Sequence, residues 1–168
     1  MNEKMLSIKN ATTKDISLIQ ELVADVWPQT YTPIVGKEQV TYMLNMFYSA
    51  EALKKQMKLL GHRFIICYNN DEPAAFASWS EVQGNIYKLH KLYIIPGQQR
   101  MGVGQAMLKH IVEEIKEKGA IALLVNVNRH NLNAKAFYEK TGFTHVIDED
   151  IDIGKGYFMN DNVLTLKV

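Results

Sequence analysis

The sequence predicts an α/β fold: one mixed sheet with helices on its flanks. Three features point there. Strand-like runs alternate with stretches whose apolar residues fall at helical spacing. A strand, a long helix and a second strand follow one another between residues 89 and 127, which calls for a crossover connection in the middle of the sheet. Two turn signals, Asn69-Asn70-Asp71 and Gln83-Gly84-Asn85, join neighbouring strands. With 168 residues and no internal repeat, linker or low-complexity segment, residues 1–168 read as one domain, long enough to bury a core.

Taken in order, Leu6-Ser7-Ile8 alternates and predicts a short first strand. Thr12-Thr13-Lys14-Asp15 offers helix caps. The helix that follows buries Ile16, Ile19, Leu22, Val23 and Val26, and Pro28 is expected to close it. Residues 27–33, dense in aromatic side chains and proline, read as a loop. Helices are predicted at 37–47, with Val40, Met43, Leu44 and Phe47 on one face, and at 50–60, ended by Gly61. Strands follow at 63–68, 73–82 and 86–95, then, past the long helix, at 122–127. A short helix at 134–140 and strands at 143–147, 157–158 and 163–167 complete the chain. Asp148, Glu149, Asp150 and Asp152 then fall on a loop between strands. They are either a solvated hairpin or a patch that attracts a cationic substrate.

Residues 89–119 organise the rest. Leu92-Tyr93-Ile94-Ile95 suits a strand, which Pro96-Gly97 stops. Val103, Met107, Ile111 and Ile115 mark one face of a helix that Gly119 ends, with Lys116 and Lys118 at its negative dipole end. Between strand and helix lies Gln99-Arg100-Met101-Gly102-Val103-Gly104. A helix N-terminus leaves backbone N–H groups without partners and carries partial positive charge. Two glycines without Cβ atoms let a phosphate approach those amides, and Arg100 adds a formal charge. A strand-to-helix turn that needs glycine for packing alone would look the same. A Walker loop would need Lys-Ser/Thr after Gly104, where Gln105-Ala106 stands. A dinucleotide fingerprint would need glycine at Met107 and an acidic residue near Leu124-Val125-Asn126.

The pattern Gln99-x-x-Gly102-x-Gly104, after a strand and before an amphipathic helix, resembles the acetyl-CoA signature of the GNAT superfamily of N-acetyltransferases. A second segment, Asn131-Leu132-Asn133-Ala134-Lys135-Ala136-Phe137-Tyr138-Glu139-Lys140-Thr141-Gly142-Phe143, is similar to the family's Asn-x-x-Ala-x-x-Phe-Tyr-x-x-x-Gly-Phe. The two occur in the family's order and are separated by a strand. Trp27-Pro28-x-Thr30-Tyr31, Tyr42-Met43-Leu44 and Lys88-Leu89-His90-Lys91-Leu92-Tyr93 add a looser similarity to the bacterial PaiA-like polyamine acetyltransferases.

The resemblance implies the GNAT fold, a mostly antiparallel sheet whose central parallel pair splays apart, with acetyl-CoA as donor and its pantetheine arm in the gap. It assigns the pyrophosphate to the amides around Arg100, Met101, Gly102, Val103 and Gly104, with Gln99 and Gln105 beside them. Leu92, Tyr93 and Ile94 would pair with the arm, the Ile94 amide polarising the thioester carbonyl. Asn126, Asn131, Asn133, Ala134 and Phe137 complete the cofactor set, although Asn131 also suits a helix N-cap. Tyr138 matches the tyrosine that protonates the departing thiolate; the ordinary alternative is a packed aromatic. Lys88 stands where many members carry a Glu that serves as base. Strand alternation would put Lys88, His90, Leu92 and Ile94 on one face, making His90 the nearest group with a useful pKa. A satisfied strand histidine, with deprotonation relayed by water to Glu81 or a backbone carbonyl, stays open.

Trp27, Tyr31 and Tyr42, with Tyr48, are candidates for an aromatic wall around the acceptor, and Lys88 lies beside them. The implied reaction is acetyl transfer to the primary amine of a small molecule, polyamines among the candidates, by direct attack in a ternary complex. Acetylation of a protein or peptide amine is the enzymatic alternative, and an acetyl-CoA-binding regulatory module the non-enzymatic one. The net charge of +1 draws neither nucleic acid nor membrane. No apolar run suits a signal peptide or a membrane span, so a cytoplasmic location is expected. With a single cysteine, Cys67, no internal disulfide is expected, and five scattered histidines predict no metal site. Apolar sheet edges leave room for a homodimer.

Overall fold

A computed structural model describes residues 5–168. Its elements run β1 (Leu6–Ala11), a 3-10 turn (Thr13–Asp15), α1 (Ile16–Val35), α2 (Lys37–Tyr48), α3 (Ala50–Lys58), β2 (Arg63–Asn69), β3 (Glu72–Gln83), β4 (Ile86–Ile94), α4 (Val103–Glu117), β5 (Ala122–Asn128), α5 (Leu132–Lys140), β6 (Thr144–Gly154) and β7 (Tyr157–Lys167). The strands form one sheet in the order β1-β2-β3-β4-β5-β7-β6. β4 and β5 pair in parallel and the other described pairs are antiparallel, as the crossover and the hairpin turns predict.

Alternation along the central strands feeds two cores. Phe64, Ile66 and Phe76 face α1, α2 and α3, where Ile19, Val26, Trp27, Met43 and Leu53 pack on them. Ile65, Cys67, Ala75, Ala77 and Leu123 face the other way, under Met107, Ile111 and Ile115 of α4 and Tyr138 of α5.

The parallel pairing is short. It runs from Ile86 opposite Ala122 to Leu89 opposite Val125, after which β4 continues to Ile94 and β5 to Asn128 without facing one another. The parting begins at a β-bulge. Ser78 opposes Lys91 and Trp79 opposes Leu89, so His90 is an extra residue in β4. An extra residue bends its strand and moves every later side chain to the opposite face. Leu92 and Ile94 therefore join Tyr87 and Leu89 in the α4-side core, while Tyr93 packs on the α1 side. The expected grouping of Leu92 and Ile94 with Lys88 and His90 is corrected by this bulge.

Two other expectations are corrected. Residues 27–33 are helical, because α1 runs through Pro28 and Pro33 to Val35. A proline inside a helix costs about 3 kcal/mol and frees the carbonyl four residues back. Here those carbonyls belong to the exposed residues Ala24 and Gln29, which water can serve. Burial of Trp27 and Tyr31, one turn apart with ring centroids 4.8 Å from each other, offsets the cost. Second, Asp148, Glu149, Asp150 and Asp152 lie within β6, and residues 157–167 are one continuous strand. Polar pairs stabilise this hairpin: Asn162 Nδ2 donates to Asp148 Oδ1 at 2.6 Å, and Arg129 Nη2 lies 2.7 Å from Asp150 Oδ1. Among the described residues no helix is long and apolar enough to cross a membrane.

Candidate active site

After Ile94 the chain turns through Gly97 (φ 92°), Arg100 (φ 64°) and Gly102 (φ 74°) into α4. Gly102 is the N-cap, and no side chain caps the helix. The first helical bond runs from Ala106 N–H to Gly102 O at 3.0 Å, which leaves the amides of Val103, Gly104 and Gln105 without helical partners. Gln99, Arg100, Met101 and Gly102 are exposed around this positive dipole end. The donor set fits a diphosphate. Gly104 answers a different need. A Cβ there would lie 2.9 Å from Ile94 Cδ1 and 3.3 Å from the Phe137 ring, so its missing side chain lets α4 close on β4 and α5.

The β4 edge beyond the bulge is the other half of this face. Ile95 N–H donates to Ala74 O at 2.9 Å, so alternation turns the Ile94 N–H away from β3 and toward the gap. Across the gap, Asn131 caps α5 by accepting from Ala134 N–H at 3.3 Å, while Asn133 is exposed. Ala134 and Phe137 pack on the α4-side core. Tyr138 is 6% exposed, with Phe143 edge-on at 5.2 Å. Burial, and then the neighbouring Tyr31 phenol, push the Tyr138 hydroxyl well above its ordinary pKa and keep it protonated. Tyr31 comes from α1, on the opposite face. Its hydroxyl lies 3.1 Å from that of Tyr93; burial raises its pKa, and Tyr93 and Asn131 draw it partly back. The two faces therefore meet where β4 and β5 part.

On the α1 side the gap opens into a cavity of about 350 Å³. Trp27 and Tyr31 of α1, Met43, Phe47 and Tyr48 of α2, and Gln56 of α3 form one wall. Lys88, His90, Lys91 and Tyr93 of β4, Asn126 and Asn128 of β5, and Asp161 of β7 form another. Trp27, Tyr31 and Lys88 all line this cavity. Tyr42 is not among them. Its hydroxyl donates to Ile153 O and its ring lies 5.1 Å from that of Tyr157, tying α2 to the β6–β7 hairpin. One residue along a helix is a rotation of about 100°, which points Met43 inward and Tyr42 aside. Asn126 Nδ2 donates to Glu149 Oε2 at 3.1 Å and to Asp161 Oδ2 at 3.3 Å, on the cavity side.

His90 sits where its surroundings weaken it as a base. Its Nε2 lies 2.7 Å from Ser80 Oγ, and its ring stacks on His62 with centroids 3.9 Å apart. Burial, then His62, Lys88 and Lys91, push its pKa down to about 3. Burial and the two lysines bring His62 to about 4. So weak a base takes up few protons near neutrality.

Sequence reasoning missed Gln56, His62, Lys91 and Asp161. Lys91 Nζ donates to Gln56 Oε1 at 2.9 Å and sits over the Tyr48 ring at 4.9 Å and the Phe64 ring at 5.7 Å. Burial brings its pKa down to about 8. Burial raises Asp161, with Asn126 and Lys88 pulling the other way. The sequence held one signal for Lys91: two adjacent polar residues, His90 and Lys91, break an otherwise regular alternation. Among the described residues no group of His, Cys, Asp and Glu suits a metal ion.

The pattern of the Acetyltransferase (GNAT) family matches residues 20–143. The [ribosomal protein bS18]-alanine N-acetyltransferase of Escherichia coli strain K12 is 35% identical over 74 residues, 44% of this chain and 49% of that protein, so the match spans about half of that relative's length. Two solved structures share the fold. The PaiA N-acetyltransferase of Thermoplasma acidophilum, in complex with coenzyme A, superposes with a TM-score of 0.81 at 23% identity, covering 98% of this chain and 99% of that one. The ribosomal-protein-S18-alanine N-acetyltransferase of Escherichia coli gives 0.73 at 20% identity, with 98% and 94% covered. A family pattern that spans most of the chain, on a sheet parted beside an uncapped helix N-terminus, has one reading: the chain belongs to the Acetyltransferase (GNAT) family.

Proposed function

We propose that residues 1–168 form one catalytic domain that acetylates the primary amine of a small molecule, which enters from the α1–α3 face and attacks directly in a ternary complex. The observation that carries this reading is the parting of β4 and β5 beyond Leu89 and Val125, with the uncapped N-terminus of α4 on one face and, on the other, a cavity of about 350 Å³ that Tyr93, Asn126 and Asn128 line. Acetyl-CoA, when bound, supplies the acyl group as an activated thioester. The amides of residues 100–104 and the Arg100 guanidinium hold its diphosphate, with Gln99 and Gln105 alongside. Leu92, Tyr93, Asn131, Asn133, Ala134 and Phe137 border the gap, and the Ile94 N–H would donate to the thioester oxygen that gains negative charge. The Tyr138 hydroxyl, held protonated by burial, would be the donor to the departing thiolate. Asp161, rather than His90, is the cavity group suited to hold the acceptor's ammonium and relay its proton through water.

A second reading is acetylation of a protein N-terminus, favoured by the similarity to the bS18-alanine acetyltransferase. Free-thiol release from acetyl-CoA, measured over small amines, polyamines, amino acids and short peptides, separates the two. The small-molecule reading expects turnover of free small amines, lowered about 100-fold in kcat by Tyr138→Phe with the KM for acetyl-CoA little changed. Turnover confined to peptides would move the acceptor to proteins. Acetyl-CoA binding with no release across the panel would instead identify a regulatory module.

A further inference from the structure

The cavity holds an ammonium that acetyl transfer does not require. Lys91 is only 7% exposed, and one hydrogen bond, to Gln56, serves its three donors. Gln56 is itself fixed, donating through Nε2 to Phe47 O at 3.0 Å. Ring faces of Tyr48 and Phe64 cover the rest of the Lys91 head. Among the described residues no carboxylate lies within ion-pair distance of Lys91. Buried lysines are ordinarily paired, since an unpaired ammonium away from water is costly. Lys88 adds a second cation to the same wall, and the His62–His90 stack brings no negative charge. The one buried carboxylate among the described residues, Asp161, also lines the cavity but comes from β7, beyond β5. The cavity thus offers two cations on β4 and one carboxylate on β7, with Lys88 near enough to pull the Asp161 pKa down and Lys91 left without a carboxylate partner.

We propose that the acceptor is an amine that also carries a carboxylate, of the amino-acid or short-peptide class. Its carboxylate pairs with Lys91, assisted by Lys88, and its amino group lies on the Asp161 side. Lys91 is then a specificity residue that completes its hydrogen bonding only when substrate is bound. A polyamine would leave Lys91 unpaired and set further cations beside it. This inference rests on the acetyl-transfer reading above.

The test compares matched acceptors: a panel of amino acids, the carboxamide of each, and the amine left when the carboxylate is removed. A carboxamide has the less basic amine, with more of it neutral, so intrinsic reactivity favours the amide. The inference expects at least one amino acid to exceed its amide by about tenfold or more in kcat/KM, and Lys91→Met to collapse that ratio toward one. A second readout needs no turnover. Trp27 lines the cavity, so its fluorescence should report saturable binding of N-acetyl-amino acids in the presence of coenzyme A, weakened at least tenfold in the Lys91→Met protein. Lys91→Met should also raise the Tm at pH 7. The Lys91 pKa is lowered from 10.5 to about 8, so the penalty for its charge is fully present below pH 8. Equal use of acids and amides, preference for aminoalkyl phosphates, or a ratio untouched by Lys91→Met would overturn the proposal. Polyamine turnover without acid preference would leave acetyl transfer standing and remove the carboxylate site. Lys91-dependent binding of N-acetyl-amino acids, with no thiol released from any acceptor, would keep the site and remove the transfer.

Discussion

The two faces of the sheet hold the two halves of the site by different means. On the α4 and α5 face, the groups offered are main-chain groups of one contiguous stretch: the turn through Gly102, the free amides of α4 and the Ile94 N–H beyond the bulge. On the α1–α3 face, side chains from α1, α2, α3, β4, β5, β6 and β7 converge on one cavity. A backbone site depends on local conformation, which glycine positions announce. A side-chain site depends on strand register, and a single extra residue, His90, decides which side chains reach it. The first half should therefore tolerate side-chain change outside its glycines, whereas a few substitutions should retune the second.

The largest effect should come from filling the space at Gly104. Gly104→Leu drives a side chain into Ile94 Cδ1, which is already 2.9 Å from where the Cβ would sit. Overpacking of this kind should weaken acetyl-CoA binding on the order of 100-fold in calorimetry. Near-native affinity would show that the cofactor half does not depend on close packing of α4. Deleting His90 probes the other half. Without the extra residue β4 is expected to straighten and stay beside β5 past Leu89, closing the gap and lowering kcat about tenfold or more in a protein that still folds by circular dichroism. Unchanged kcat would mean that the gap is set by something other than the bulge.

The smallest effect concerns pH. His62 and His90 have folded pKa values of about 4 and about 3, against an ordinary 6.5. Between those values and 6.5 the unfolded chain binds more protons than the folded one, so stability is complete above pH 6.5 and is lost as the pH falls toward 3. Thermal melts from pH 7 to pH 4 should show a falling Tm, and His90→Gln should flatten the slope by on the order of 1–2 kcal/mol, discounted because water reaches part of the ring. An identical slope in that variant would remove His90 from the acceptor wall's pH response.

Much of this was legible in the chain. Apolar spacing marks most elements within a residue or two, because each buries one face against the sheet. The Gln99–Gly104 loop and the Asn131–Phe143 segment point to the donor half because both are contiguous. The extension of α1 through Pro28 and Pro33 was hidden, since only the burial of Trp27 and Tyr31 outweighs two prolines. Tyr42 was misplaced because a helix-face assignment needs the packing partner, here the β6–β7 hairpin. The acidic run was read as loop because its charges suggest solvent, whereas Arg129 pairs with Asp150, and His145 and Asn162 with Asp148.

The sequence by itself determined the layered α/β class, the crossover that makes β4 and β5 parallel, and the glycine-marked turn that leaves helix amides open. All three follow from local spacing and backbone freedom. Only the tertiary structure decided where β4 and β5 part, which faces Lys91 and Ile94 take, and which charges share the acceptor cavity. Those outcomes depend on register between strands distant in the chain. A bulge resets that register for every residue after it, and burial then sets the pKa of whatever it turns inward.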